Sequence, residues 1–262
     1  MSISGTVQKD NYSVAGRIYS SRLFHCFGNP DIKLTVSTVK SLLENSCTQF
    51  LTLNTHNIST NNGMDSAVIG YTNINLHDIS KVVDISKYTI LVNINLAKTS
   101  KEAVERSVVS SELIGSKIIK LEVLNKEHTI PLNEEVKEAA KSLLKRGYEI
   151  MPLINPDLND ALKLQNMGCS LIRILGSPIG SMKGIENEKS LEEIFQQLKI
   201  PVILDGGVGC PQDAYNAMKL GATGVLVNKA LFASSDPVQM IIKMKKAIIE
   251  GRLDYIHGGR HV

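Results

Sequence analysis

The chain has 262 residues, of which 43% are hydrophobic and 21% charged, so it is long enough for one large globular domain or two small ones. A net charge of only +3, an aromatic content of 5% and the lack of tryptophan argue against nucleic-acid binding. No apolar run approaches the roughly 18 residues of a membrane helix, and the N-terminus resembles neither a signal nor a transit peptide. We therefore expect a cytoplasmic protein without membrane contact, whose four cysteines, lacking C-x-x-C spacing, are reduced thiols.

The first half of the chain carries weak secondary-structure signals. Short apolar runs predict strands at residues 21–27, 49–54 and 89–94. Helical periodicity predicts helices at residues 35–43 and 100–113. The polar segment 54–65 is the longest predicted loop between these elements.

The second half alternates regularly between apolar runs and helical patterns. Strands are predicted at residues 117–123, 148–153, 170–175, 201–205 and 223–228. Helices are predicted at residues 133–145, 157–167, 189–198, 211–220 and about 236–250, with Gly251 following the last of them. This alternation indicates βαβ units with a parallel sheet covered by helices.

The number of predicted strands favours a closed barrel over an open sheet. Eight predicted parallel strands in 262 residues match the size of a TIM (β/α)8 barrel, within the α/β class. An open doubly wound sheet is the alternative. We predict a single barrel domain over residues 1–262, with residues 1–20 as a short N-terminal extension.

The segment VILDGGVG (residues 202–209) places a carboxylate and a glycine turn at the end of an apolar strand. A dinucleotide-binding G-x-G-x-x-G pattern fails, because Gln212 stands where the third glycine is needed. The turn exposes backbone N–H groups ahead of a predicted helix, which suits a phosphate. Together with the ending of the eighth strand, VNKA (residues 227–230), the turn favours phosphate binding over a plain connection.

The strand KIIKLEV (residues 117–123) carries the strongest catalytic candidates. Alternation puts Ile118, Lys120 and Glu122 on the face that points into the barrel. Burial favours the neutral form of Lys120, which can attack a carbonyl, whereas the neighbouring Glu122 opposes this shift and can move protons. The alternative is that Lys120 and Glu122 form a structural ion pair without a catalytic role. Lys117, at the start of the strand, is predicted to be solvated.

Two further segments carry possible functional signals. The loop at residues 175–185 (LGSPIGSMKGI) is rich in glycine and follows the sixth strand, which favours a functional loop. The spacing of His257 and His261 would fit a metal on a helix, but Gly258 and Gly259 lie between them. We predict no metal site and no cofactor.

The motifs taken together resemble thiazole synthase of bacterial and plastid thiamine biosynthesis. The similarity runs from about residue 117 to residue 260. It is carried, in order, by KLEV (residues 120–123), GSPIGS (176–181), PVILDGGVG (201–209), residues 221–228, DPV (236–238) and GRL (251–253).

The resemblance implies a TIM barrel and a defined chemistry. Lys120 would form an imine with 1-deoxy-D-xylulose 5-phosphate, and Glu122 and Asp205 match acid–base positions. Sulfur would come from the C-terminal thiocarboxylate of a sulfur-carrier protein, and dehydroglycine would complete the ring. The family's sugar-phosphate contacts align with Gly176, Gly206, Gly207, Asn228 and Lys229. The resemblance also implies a homo-oligomer.

The chain departs from the family at several positions. Lys229 stands where threonine is usual, Gly206 where alanine is usual, and Arg173-Ile174 where Met-Pro is usual. In the more divergent N-terminal half, His56-Asn57 replaces a common arginine pair, and residues 94–96 replace Thr-Ala-Gly. Two alternatives therefore stay open: another imine-forming, aldolase-like barrel enzyme, or a non-catalytic paralogue that binds a phosphorylated ligand or the carrier protein.

Overall fold

The structure, a computed structural model, describes residues 10–28, 34–54, 67–70, 72 and 74–258. The strands are β1 (Tyr12–Val14), β2 (Arg17–Tyr19), β3 (Leu23–His25), β4 (Phe50–Asn54), β5 (Val68–Ile69), β6 (Thr89–Ala97), β7 (Ile118–Val123), β8 (Glu149–Ile154), β9 (Ile172–Ile174), β10 (Val202–Asp205) and β11 (Gly224–Val227). The α-helices are α1 (Val36–Ser46), α2 (Leu76–Ser80), α3 (Ser100–Ile114), α4 (Asn133–Leu144), α5 (Leu158–Met167), α6 (Glu188–Gln197), α7 (Pro211–Leu220), α8 (Lys229–Ala233) and α9 (Pro237–Gly258).

The strand order is that of a TIM barrel. The sheet runs β3-β11-β10-β9-β8-β7-β6-β4, with parallel pairing throughout, and β5 adds an antiparallel strand to β4. From β4 onward each parallel strand pairs with the next parallel strand of the chain, and the first, β3, pairs with the last, β11. A doubly wound sheet would instead reverse its order at a switch point. Phe24 of β3 stacks on Phe50 of β4 at 4.5 Å between ring centroids, which joins the two remaining strands. The predicted barrel is confirmed.

An apolar ring fills the N-terminal end of the barrel. Each of the eight parallel strands supplies one inward residue to this ring: Phe24, Phe50, Leu91, Ile118, Met151, Leu171, Ile203 and Leu226. Leu171 lies one residue before the start of β9. Residues of the other parity, such as Ile119 and Leu121 on β7, pack outward in the larger core between sheet and helices. The strand alternation that the sequence predicts is therefore confirmed for β7.

The segment predicted as an N-terminal extension has its own structure where it is described. Strands β1 and β2 form an antiparallel hairpin whose Val14 and Tyr19 pack against the apolar ring. The ring of Tyr19 stacks on Phe50 at 4.4 Å, and its hydroxyl lies 2.9 Å from Oγ1 of Thr89. The hairpin thus covers the N-terminal end of the barrel; residues 1–9 lie outside the described part.

The predicted end of the last helix at Gly251 is wrong. Helix α9 continues to Gly258. A Cβ at position 251 would lie 2.3 Å from the carbonyl oxygen of Tyr215 in α7. Gly251 therefore permits two helices to pack closely and does not terminate the helix. Within the described residues, no helix has the length and apolarity needed to cross a membrane.

Candidate functional site

Three charged side chains meet at the C-terminal end of the barrel. Lys120 and Glu122 lie on β7, above Ile118 of the apolar ring, and Asp205 is the last residue of β10. All three are buried and border a cavity of about 470 Å³. Barrel enzymes carry out their chemistry at this end of the strands.

The amine of Lys120 is held by two polar partners. Nζ donates a hydrogen bond to Oε1 of Glu122 in a close ion pair, and lies 3.2 Å from Oδ1 of Asn93 on β6. Burial and the charge of Arg173 push the pKa of Lys120 down, but the carboxylates of Glu122 and Asp205 outweigh them, and this pKa lies above its ordinary value. Burial raises the pKa of Glu122, yet its two cations lower it by more. Of the two opposing effects that the sequence predicts for Lys120, that of Glu122 prevails over that of burial in the direction of its pKa.

Arg173 of β9 bridges the carboxylates of Glu122 and Asp205. Its Nη1 donates to Oε1 of Glu122 at 2.9 Å and to Oδ2 of Asp205 at 2.5 Å. Its Nε and Nη2 donate to the carbonyl oxygens of Met151 at 3.1 Å and Leu121 at 2.8 Å. Burial lowers the pKa of Arg173, but the two carboxylates raise it by more. The result is a buried cluster of two cations and two anions.

A pair of asparagines orients the acceptor that faces Lys120. Nδ2 of Asn93 donates to Oδ1 of Asn54 at 2.6 Å, and Nδ2 of Asn54 donates to the carbonyl oxygen of Gly70 at 2.8 Å. Because both amide N–H₂ groups are used in this way, Asn93 presents its oxygen to the lysine.

The glycine turn lies beside these charges and requires its glycines. Gly206 and Gly207 have φ of +98° and +84°, in the left-handed region. A Cβ at Gly207 would lie 2.1 Å from Oγ of Ser177, and the N–H of Gly184 donates to the carbonyl oxygen of Gly207 at 2.8 Å. Gly176 packs behind the turn, where a Cβ would come within 2.9 Å of the Gly206 oxygen, and does not line the cavity.

The N-terminus of α7 is capped by its own side chain. Oδ2 of Asp213 accepts hydrogen bonds from the N–H groups of Gly209 at 2.8 Å and Cys210 at 3.0 Å. These donors are therefore engaged, and the carboxylate repels an anion. The N–H groups that remain for a phosphate in this segment therefore belong to the glycine turn before Gly209 rather than to these two positions.

Asn228 and Lys229 lie at the rim of the same cavity. The side chain of Asn228 exchanges two hydrogen bonds with the backbone of Gly28, at 2.9 and 3.1 Å, and so fastens the end of β11 to the segment after β3. Nζ of Lys229 donates to the carbonyl oxygen of Gly180 at 2.7 Å. Lys229 thus places a positive charge between the glycine-rich loop and the cavity.

Sequence reasoning missed several residues of this site. The sequence marks Arg173 only as a departure from a family pattern and does not single out Asn54, Cys26 and His128, although all three border the cavity. The available signal was a polar residue inside an otherwise apolar strand, as in SLIRIL. The predicted difference at His56-Asn57 lies outside the described residues. In the part of the chain that the structure describes, no group of three or more His, Cys, Asp or Glu side chains could hold a metal ion.

A parallel (β/α)8 barrel with a buried lysine–glutamate pair at the carboxyl ends of its strands defines a class, the TIM-barrel enzymes. Comparison with known proteins narrows it. The model of the family described as thiazole biosynthesis protein ThiG matches residues 13–261. The chain therefore belongs to this family, the thiazole synthases of thiamine biosynthesis.

Similarity to individual proteins agrees with this assignment. The chain is 35% identical over 255 residues to the thiazole synthase of Citrifermentans bemidjiense, covering 97% of this chain and 92% of that protein. It is 41% identical over 177 residues to the thiazole synthase of Staphylococcus saprophyticus, covering 67% and 69% of the two chains.

Solved structures show the same fold. The chain resembles a chain of the Amycolatopsis orientalis BexX/CysO complex with a TM-score of 0.82 and 29% identity, over 94% of this chain and 96% of that one. A likeness at 16% identity and a TM-score of 0.57 to (S)-3-O-geranylgeranylglyceryl phosphate synthase from Thermoplasma acidophilum, over 86% and 92% of the two chains, concerns the fold alone.

Proposed function

We propose that this protein forms the thiazole phosphate moiety of thiamine from 1-deoxy-D-xylulose 5-phosphate, dehydroglycine and sulfur carried as a protein thiocarboxylate. In this proposal, Lys120 forms an imine (Schiff base) with the ketose phosphate. The enzyme is a transferase and acts in the cytoplasm. The observation that carries the proposal is the buried amine of Lys120, paired with Glu122 at the edge of a cavity that the glycine turn also lines. Membership of the family supports the product.

The lysine pair supplies the proton transfers of imine formation. The ammonium of Lys120 first gives a proton to Glu122, whose Oε1 already accepts its hydrogen bond. The free amine adds to the ketone carbon, and the resulting hydroxyl receives a proton and leaves as water, so that ketone and amine become imine and water. Oδ1 of Asn93 accepts a second hydrogen bond from Nζ and so helps to hold the amine in place.

Asp205 carries the proton transfer of the next step. Its Oδ2 is fixed by Arg173, and its other oxygen forms no hydrogen bond with the residues that the structure describes. That oxygen is available at the cavity to take a proton from the carbon next to the imine carbon and to return it at the imine carbon, which is the tautomerisation the route requires.

The phosphate of the substrate binds at the glycine turn. Gly206 and Gly207 let the backbone approach the ligand closely, Gly176 supports them from behind, and Asn228 fixes the rim of the cavity. Lys229 adds a cation that can exchange the Gly180 carbonyl for a phosphate oxygen.

Lys229→Thr is expected to raise the KM for the ketose phosphate about fivefold, with kcat nearly unchanged, because one charge-assisted hydrogen bond to the phosphate is lost at an exposed site. The effect should shrink as salt is added. Lys183→Thr changes an exposed lysine of the glycine-rich loop at residues 175–185 that does not line the cavity; it is the matched control and should leave KM unchanged. An equal change in KM for the two variants would remove Lys229 from the phosphate site.

A protein partner delivers the sulfur. BexX, the structurally similar protein, was solved in complex with a second protein, CysO, which supports a protein partner for this chain. The partner proposed here is a sulfur carrier with a C-terminal thiocarboxylate, and we also propose that the enzyme is a homo-oligomer.

The decisive experiment is reconstitution with defined components. The protein is mixed with ketose phosphate, the carrier thiocarboxylate, and glyoxylate with ammonium, which condense to dehydroglycine; the thiazole phosphate is measured by mass spectrometry. Product is expected with the thiocarboxylate and not with the carrier bearing an ordinary carboxylate. Turnover of the ketose phosphate without any carrier would favour an aldolase-like enzyme, and binding without turnover would favour a non-catalytic paralogue.

A further inference from the structure

Arg173 is the largest of the fully buried side chains in the described residues, with 2% of its surface exposed. Its guanidinium contacts three strands besides its own, through Leu121 and Glu122 on β7, Met151 on β8 and Asp205 on β10. A charged group in this position is costly unless every donor is used. Each of its three nitrogens donates, and two of the four bonds go to groups proposed to act on the substrate.

The charges of the site balance because of this residue. Lys120 and Arg173 are cations, and Glu122 and Asp205 are anions, all within the buried end of the barrel. Without Arg173, one ammonium would face two carboxylates, and each carboxylate strengthens the hold of the amine on its proton. An amine held in this way attacks a carbonyl poorly, because only its neutral form is a nucleophile.

We propose that Arg173 is a positioning residue for the Lys120 amine: it bridges Glu122 and Asp205 and supplies the second positive charge that lets Lys120 release its proton beside two carboxylates. The proposal rests on the proposed function in taking Lys120 as the nucleophile.

The geometry specifies how the guanidinium acts on the amine. Nζ of Lys120 and Nη1 of Arg173 both donate to the same oxygen, Oε1 of Glu122, so the two cations are separated by only two hydrogen bonds. At such a distance, in a buried site, like charges repel strongly. The charge of Arg173 accordingly lowers the pKa of Lys120, against the opposite effect of Glu122, Cys26 and Asp205, which are the other ionisable groups that face the amine.

The shared oxygen also leaves room for chemistry. Arg173 donates to Oε1 of Glu122 and to Oδ2 of Asp205. The other oxygen of each carboxylate, Oε2 of Glu122 and Oδ1 of Asp205, forms no hydrogen bond with the residues that the structure describes. Arg173 therefore orients each carboxylate with one oxygen anchored and one directed toward a substrate. A competing account is that Arg173 only ties strands together through the carbonyls of Leu121 and Met151.

Reductive methylation separates these accounts without any substrate. Formaldehyde and cyanoborohydride modify neutral amines, so below its pKa the rate at Lys120 falls tenfold for each unit by which that pKa rises. Peptide mapping by mass spectrometry follows Lys120 and Lys117 in the same digest, and Lys117, exposed at the start of the same segment, is the internal control. The variants are Arg173→Met, Arg173→Gln and Arg173→Lys, each checked for folding by circular dichroism and thermal unfolding.

The uncharged variants are expected to slow modification of Lys120 about tenfold at a fixed pH between 8 and 9, with Lys117 unchanged. Arg173→Lys, which keeps the charge and loses the fork of donors, should recover most of the wild-type rate. A wild-type rate in either folded uncharged variant would overturn the proposal, and so would an equally slow Arg173→Lys, because shape rather than charge would then matter. The readout uses no ketose phosphate, so a failed reconstitution would refute the proposed function and leave this inference standing.

Discussion

Lys120→Ala is expected to abolish the borohydride-stable adduct with 1-deoxy-D-xylulose 5-phosphate and to lower turnover roughly 10³-fold or more, because the nucleophile itself is removed. The adduct is measured by mass spectrometry after reduction and digestion. In the wild-type protein it should lie on the peptide that contains Lys120. Absence of the adduct from the wild-type protein, or its presence in Lys120→Ala, would contradict the imine mechanism.

The variant should remain folded, which makes the test interpretable. Removing one partner of a buried ion pair usually costs about 3–5 kcal/mol, because the other charge is left without compensation. Here Arg173 still donates to Oε1 of Glu122, so we expect a smaller loss of roughly 1–2 kcal/mol. Lys117→Ala removes a lysine three positions earlier, at an exposed site, and should leave both adduct and stability unchanged.

Gly207→Ala is expected to reduce the free energy of unfolding by about 3 kcal/mol or more and to raise the KM for the ketose phosphate. A Cβ at this position would lie 2.1 Å from Oγ of Ser177 and 2.5 Å from the carbonyl oxygen of Gly184. The side-chain hydroxyl can rotate away, but the carbonyl belongs to the backbone of the glycine-rich loop, so the turn and the loop must separate. Denaturant unfolding and steady-state kinetics measure the two effects.

A second glycine provides the control for backbone strain. Gly115, at the end of α3, has φ of +74°, close to the +84° of Gly207, but a Cβ there would meet nothing within 4 Å. Gly115→Ala should therefore cost only about 1 kcal/mol, the strain of a left-handed alanine, and leave the kinetics unchanged. If both variants lost the same free energy of unfolding, the contact between the glycine turn and the glycine-rich loop would make no measurable contribution to stability.

The sequence predicts the frame of the barrel well because both faces of its sheet are buried. Apolar strands and capped amphipathic helices then carry strong periodic signals: the helix predicted at residues 211–220 is observed as Pro211–Leu220. Alternation along a strand also predicts that Lys120 and Glu122 point inward. Short elements escape prediction, since α2 and α8 have five residues each and the β1–β2 hairpin has two strands of three.

Contacts between distant strands could not be predicted from one sequence. Arg173 is separated by 51 residues from Glu122 and by 32 from Asp205, and nothing local states that its guanidinium bonds both. The sequence places Glu122 beside Lys120 and so shows one of the effects on its pKa, but the charges of Arg173 and Asp205 come near the amine only in the folded barrel. The predicted helix end at Gly251 was wrong for a related reason: the backbone of Tyr215, against which Gly251 packs, lies in another helix.

The hairpin of β1 and β2 has a consequence for the order of events in catalysis. The apolar ring and the hairpin fill one end of the barrel, and among the described residues the cavity beside Lys120 is lined mainly from the carboxyl ends of the strands and the loops that follow them. The ketose phosphate, the water that imine formation releases and the tail of a carrier protein would then share one entrance. Under the proposed function, the small substrate must bind before the carrier covers that entrance, which is a compulsory-order kinetic scheme.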